Sequence, residues 1–201
     1  MCIRDRLYAS NISPCLEAPH ALVVSLNVNF NVASIGDNVT LLCTNGGGPT
    51  NAYEWSKGGR ILNNEGDNTL MLTGIDITSG GNYTCTVSNA AGNDSTTTVL
   101  YIAPYFVTPL KKNTDTFNGS YVNITCDPDG FPRPAVKWVN VSGMEVSNTS
   151  LLEFNPVVVG HEGPYRCIAT LKVNDTDFTA TTETILLGMS RNIFILSAHC
   201  N

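Results

Sequence analysis

Charge is scarce in this sequence: Asp, Glu, Lys and Arg together make up 14% of its 201 residues. Between residues 22 and 103 the basic side chains are Lys57 and Arg60 alone, against 6 carboxylates, and residues 104–188 carry 6 basic and 9 acidic groups. Neither half holds the cationic stripe that neutralises a phosphate backbone or a heparin-like polymer, so nucleic acid is excluded as a partner. The net charge of −6 is read as a solubility device. Long apolar runs are missing as well. No stretch reaches the roughly 18 residues that cross a bilayer, and the nearest, residues 185–198, is broken by Arg191. Histidine is limited to His20, His161 and His199. No nucleophile–base pair or open metal site emerges, and Gly46-Gly47-Gly48 lacks the following Lys and helix of a phosphate loop. Catalysis, a small-molecule substrate, a cofactor and a metal are therefore not expected.

What is present is a repeat. The cysteines stand at 2, 15, 43, 85, 126, 167 and 200, and the four central ones fall into pairs separated by 42 and 41 residues. Trp55 and Trp138 each follow the first cysteine of a pair by 12 residues, and Tyr83 and Tyr165 each precede the second by two. First cysteines and tryptophans recur at 83 residues and second cysteines at 82, which defines two domains. Val39, Leu41 and Cys43 alternate with polar neighbours, as do Val122, Ile124 and Cys126, the period of half-buried strands. Leu70, Leu72 and Ile75 supply a further inward row, matched loosely by Leu151, Phe154 and Val157. Turn clusters such as Gly58-Gly59, Ser79-Gly80-Gly81 and Asp127-Pro128-Asp129-Gly130 punctuate the runs, and no extended helical period appears. The fold class expected is all-β, two tandem antiparallel sandwiches. Four cysteines acting as metal ligands would need short paired spacings, which do not occur, so a disulfide framework is preferred.

These landmarks carry a resemblance. In the first half they are Cys43, Trp55, Leu70-Met71-Leu72, Gly81-Asn82-Tyr83-Thr84-Cys85 and Asn89-Ala90-Ala91-Gly92. In the second they are Cys126, the run Gly130 to Trp138, and Gly163-Pro164-Tyr165-Arg166-Cys167. The sequence resembles the immunoglobulin superfamily, in its intermediate set, as found in neural adhesion molecules, hemicentin-like matrix proteins and receptor ectodomains. The resemblance covers about residues 22–188 and implies disulfides Cys43–Cys85 and Cys126–Cys167, core tryptophans Trp55 and Trp138, and tyrosine corners at Tyr83 and Tyr165. Two departures stand out. Ser79 and His161 occupy the place, four residues before the corner tyrosine, where the family has Asp, so the usual acidic brace is not expected. The second half also lacks an Asn-x-x-Gly turn after Cys167, which implies a longer or differently shaped final hairpin.

The domains are read as a leader of doubtful origin (1–21), Ig-like domains at 22–103 and 104–188, and a truncated or unstructured tail (189–201). Met1 to Arg6 resembles translated adapter sequence, and Cys2, Cys15 and Cys200 lie in these end segments. The junction Leu100 to Phe106 has no Gly/Ser spacer and is expected to restrict the hinge and give an elongated pair. Nine of 22 asparagines begin Asn-x-Ser/Thr, where composition alone gives about four. Asn38, Asn82, Asn93, Asn118, Asn123, Asn140, Asn148 and Asn174 are candidate N-glycan acceptors, with Asn11 in the leader weighted least. That excess places the chain outside the cell, as part of a secreted or membrane-anchored protein. Strand alternation puts Glu54, Ser56, Thr84, Thr86 and Ser88 on one outward face, and Lys137 and Arg166 on its counterpart. Such faces are expected to bind a protein partner, homophilic or heterophilic, in cell adhesion or recognition. A spacer role in a multi-domain matrix protein and a signalling-receptor ectodomain are the alternatives.

Overall fold

The structure is a computed structural model that describes residues 17–48, 52–62, 66–111, 113–183 and 185–189. Asn11, Cys2, Cys15, Cys200, most of the leader and nearly all of the tail lie outside these residues. The chain divides into two units between Ile102 and Ala103. That is one residue before the boundary read from the sequence, because strand conformation there is unbroken and alternation offers no stop.

The first unit is a sandwich of two sheets. Strands β1 (Val23–Leu26), β3 (Val39–Thr44) and β6 (Thr69–Leu72) form the smaller sheet in the order β1-β3-β6. The larger runs β8-β7-β4-β5, from β4 (Ala52–Lys57), β5 (Arg60–Leu62), β7 (Gly81–Asn89) and β8 (Gly92–Phe106). A two-residue strand, β2 (Val32–Ala33), pairs in parallel with β8 at Tyr101 and Ile102. Val39, Leu41 and Cys43 face inward from one sheet and Trp55, Tyr83, Cys85 and Val87 from the other, all buried. This is the interdigitated core that two aligned sheets require.

The second unit repeats the plan. Its smaller sheet pairs β10 (Val122–Thr125) with β14 (Leu151–Phe154). Its larger sheet has the order β13-β12-β15-β17-β9, with β16 also on β15. These are β9 (Asn113–Thr116), β12 (Ala135–Asn140), β13 (Glu145–Ser147), β15 (Gly163–Val173), β16 (Thr176–Thr181) and β17 (Ile185–Met189). A short strand, β11 (Pro128–Phe131), precedes β12. As in the first unit, an early strand pairs in parallel with the last one, here β9 with β17.

One sequence expectation changes in detail. The inward leucine of β14 is Leu152, 1% exposed, whereas Leu151 is half-buried on the other side of the strand. Register decides this, since Leu152 lies opposite Ile124 on β10. The final hairpin is longer, as the missing Asn-x-x-Gly implied. Strand β15 extends to Val173, opposite Thr176, and Asn174 and Asp175 turn the chain with φ of 47° and 64°. Positive φ at both central residues is the backbone signature of a type I′ turn, whose twist matches its strands.

Candidate functional site

Each larger sheet presents an outer face backed by a covalent clamp. Cys43–Cys85 and Cys126–Cys167 are disulfide-bonded and wholly buried. Opposite the second cysteine of each pair lies the tryptophan, Trp55↔Cys85 and Trp138↔Cys167. Both indoles are 0% exposed, and each donates Nε1–H to a backbone carbonyl, Asp67 or Ser150, at 3.2 Å. A buried indole nitrogen without such a partner would cost about 1–3 kcal/mol.

The tyrosine hydroxyls donate at 2.8 Å to the backbone carbonyls of Ser79 and His161. Because the carbonyl is the acceptor, the side chain at that position is free to vary, and the corner survives the loss of the family's Asp. In the first unit the turn is held instead by Asp76, whose carboxylate accepts from the Ser79 amide while the Ser79 hydroxyl returns to the Asp76 amide. Hydrogen bonds from Thr78 and Ser79 hold the Asp76 carboxyl below its ordinary pKa. Lys57 donates to the Thr78 carbonyl, with its ammonium 5.2 Å from the centre of the Tyr83 ring. Burial pushes the lysine's pKa down, against the attraction of Asp76. In the second unit, His161 stacks on Phe154 with ring centres 4.5 Å apart.

On the outer face of the first unit, Glu54 lies opposite Thr86 and Ser56 opposite Thr84, with Ser88 at the end of the row. Glu54 is exposed and the other four are half-exposed. Strand β8 continues the face: Thr97 is opposite Thr84, Ser95 opposite Thr86 and Asn93 opposite Ser88. The Thr84 and Thr97 hydroxyls share a hydrogen bond of 2.8 Å. In the second unit, Lys137 pairs across to Ile168 and Arg166 to Val139, so both cations share the outer face on neighbouring strands. Both are exposed, Val139 is only 5% exposed, and Leu186, opposite Pro164, is 51% exposed. These two sets of residues belong to separate units and are described as separate faces.

A shallow opening of about 310 Å³ in the second unit is lined by Val107, Thr108, Asp127, Pro128, Asp129 and Arg133. Arg133 is ion-paired with Asp127, both largely exposed, so the pair contributes at most about 1 kcal/mol. Among the described residues no group of three or more His, Cys, Asp or Glu could hold a metal ion.

Family models described as "Immunoglobulin domain" match residues 23–102 and 104–170. The chain belongs to the immunoglobulin superfamily. It is similar to neural cell adhesion molecule 1 of Gallus gallus, 28% identical over 72% of this chain and 16% of that protein. It is also similar to cell adhesion molecule DSCAML1 of Homo sapiens, 32% identical over 68% of this chain and 7% of that protein. The chain thus spans a small part of the curated relatives it matches. Among solved structures, the N-terminal four Ig domains of Dscam1 isoform 1.9 align with a TM-score of 0.59 at 21% identity, covering 86% of this chain and 47% of that one. That likeness concerns the fold.

On the immunoglobulin framework the candidate acceptor asparagines fall in distinct places. Asn38, Asn82, Asn93, Asn118, Asn123, Asn148 and Asn174 are exposed. Asn82 and Asn93 lie on the larger sheet of the first immunoglobulin unit. Asn123 is opposite Glu153 on the smaller sheet of the second, and Asn174 is at the hairpin tip. Asn140 is half-buried, and its side-chain oxygen accepts from Ser142 and Met144. It pairs with Tyr165 as Lys57 pairs with Tyr83, on the inward row. It is the least accessible acceptor of the eight.

Proposed function

We propose that this chain is a non-enzymatic recognition module of an extracellular, N-glycosylated adhesion protein, binding a protein partner through the outer faces of its larger immunoglobulin sheets. The observation that carries this reading is a disulfide-clamped sandwich in each unit, in a chain whose similar proteins include neural cell adhesion molecule 1 and DSCAML1. Buried disulfides suit an oxidising compartment, and the exposed sequons suit the secretory pathway. Where single contacts are weak, clustering many copies raises avidity without new contacts.

The test therefore uses multivalency. The chain, secreted from eukaryotic cells so that its glycans and disulfides form, is clustered on fluorescent beads. The beads are offered to one another and to intact cells of the organism the chain comes from. Aggregation signals a homophilic partner and cell staining a heterophilic one. Beads that stay monodisperse and also leave cells unstained overturn the reading.

A further inference from the structure

The register sets two acceptor asparagines on one face. Along β7, Gly81, Tyr83, Cys85 and Val87 are buried, so Asn82 points outward with Thr84, Thr86 and Ser88. Strand β8 places Asn93 directly opposite Ser88 and Val99 opposite Asn82. The two exposed acceptor asparagines are therefore at opposite ends of the same outer face, on adjacent strands. Ser88 is six steps along the strand from Asn82, which is about 20 Å. Glu54, Ser56, Thr84 and Thr86 all lie between the two ends.

The centre of the face is a field of Thr and Ser hydroxyls with one carboxylate, and its larger apolar side chains, Ile61 opposite Ser56 and Val99 opposite Asn82, stand at its margins. Hydroxyls are suited to hydrogen-bonding sugar. The counterpart in the second unit differs: its acceptor Asn174 is out at the β15–β16 hairpin tip, and none stands among the central outward positions Lys137, Val139, Arg166, Ile168 and Thr170. It also carries Lys137 and Arg166 beside Ile168 and the half-exposed Leu186, above a buried Val139.

We propose that N-glycans on Asn82 and Asn93 roof the outer face of the first unit's larger sheet. The centre of the second unit's larger sheet, around Lys137 and Arg166, is then the larger-sheet face left open to large bodies. This rests on the extracellular glycoprotein reading above and narrows the surface that reading uses. Glu54, Ser56, Thr84, Thr86 and Ser88 become the floor beneath the sugar. A glycan is bulky and mobile, so it excludes large bodies from that floor while admitting small molecules.

The experiment measures size-dependent access on the secreted chain. Thr86→Lys puts an amine at the centre of the roofed face, opposite Glu54, and Lys137 is the native control on the open face. Glycopeptide mass spectrometry first reads occupancy at Asn82 and Asn93. Acylation rates are then compared for a small ester and a polymer-tailed one the size of a protein domain. With both sites occupied, the small ester modifies the two amines alike, whereas the large one reacts at the introduced amine about tenfold or more slowly. Adding Asn82→Gln and Asn93→Gln removes that difference. Equal large-ester rates on the fully occupied chain overturn the roof and leave the glycoprotein reading intact. Both asparagines unoccupied on a secreted, disulfide-bonded chain overturns the roof and takes the glycans from the broader reading.

Discussion

The disulfide of the second unit offers the sharpest quantitative prediction. Replacing Cys126 and Cys167 together by alanine removes a cross-link that closes 41 residues. The chain-entropy relation for a loop of that length gives a destabilisation of about 4 kcal/mol at 25 °C. A domain of this size has a total stability of roughly 5–15 kcal/mol, so most of the margin at the lower end of that range disappears. Urea unfolding followed by tryptophan fluorescence measures the loss, because each unit contains one wholly buried tryptophan. In a Trp55→Phe background, Trp138 reports the second unit alone. With a slope of about 1.5 kcal/mol per molar urea, the midpoint falls by about 2–3 M. The first unit closes 42 residues, so Cys43→Ala with Cys85→Ala shifts Trp55's transition by a similar amount and leaves Trp138's in place. A midpoint within about 0.5 M of the parent in the second unit would refute the clamp as its main brace. Equal movement of both transitions would refute the division into separately stabilised units.

Further outcomes follow from the corners and turns. Burial pushes the Tyr83 hydroxyl up to about 12, with the nearby Asp76 adding to the rise. Its folded value is above the ordinary 10, so its stabilisation is complete below pH 10 and drains away as pH climbs through 12. Tyr83→Phe costs about 1 kcal/mol at neutral pH and flattens the alkaline decline in the first unit's thermal midpoint; an unchanged decline argues against the buried hydroxyl as its source. At the hairpin tip, Asp175 has φ 64° and an exposed contact of 3.2 Å with Lys172. Asp175→Gly removes the left-handed penalty and raises the second unit's stability by about 0.5 kcal/mol, while Asp175→Val lowers it by 1 kcal/mol or about that. Both variants keep the Asn174 sequon, and denaturant midpoints compare them directly.

The parts of the fold that were legible in the sequence are those fixed by residues with no substitute. Only cysteine makes the cross-link, and only tryptophan fills the space beside it, so their spacing exposed two sandwiches. The tyrosine corners could be read for the same reason. Ser79 and His161 removed only the family's acidic brace; the corner itself needs a backbone carbonyl, which any residue supplies. The inward residue of β14 was obscured because Leu151 and Leu152 are chemically alike, and only pairing with Ile124 separates them. Strand β2 is two residues long and parallel to its partner, too short for any alternation to register. Alternation already turned Asn82 outward on the strand that carries Thr84, Thr86 and Ser88. Asn93's place on the same face was hidden, because that requires knowing which residue of β8 stands opposite Ser88. Alternation works along one strand and is silent across a turn until register is known.

The functional claim comes down to which face touches another protein. Ile168→Asn, with Thr170 two residues on, completes Asn-x-Thr on the outer face of the second unit, directly opposite Lys137. Beads clustered with the secreted parent chain and with this variant, each checked for glycan occupancy at 168, are compared for aggregation and cell staining. The account predicts that the added glycan abolishes whichever binding the parent shows, while Asn82→Gln with Asn93→Gln leaves that binding in place. Full binding by the variant with its new glycan attached would contradict it.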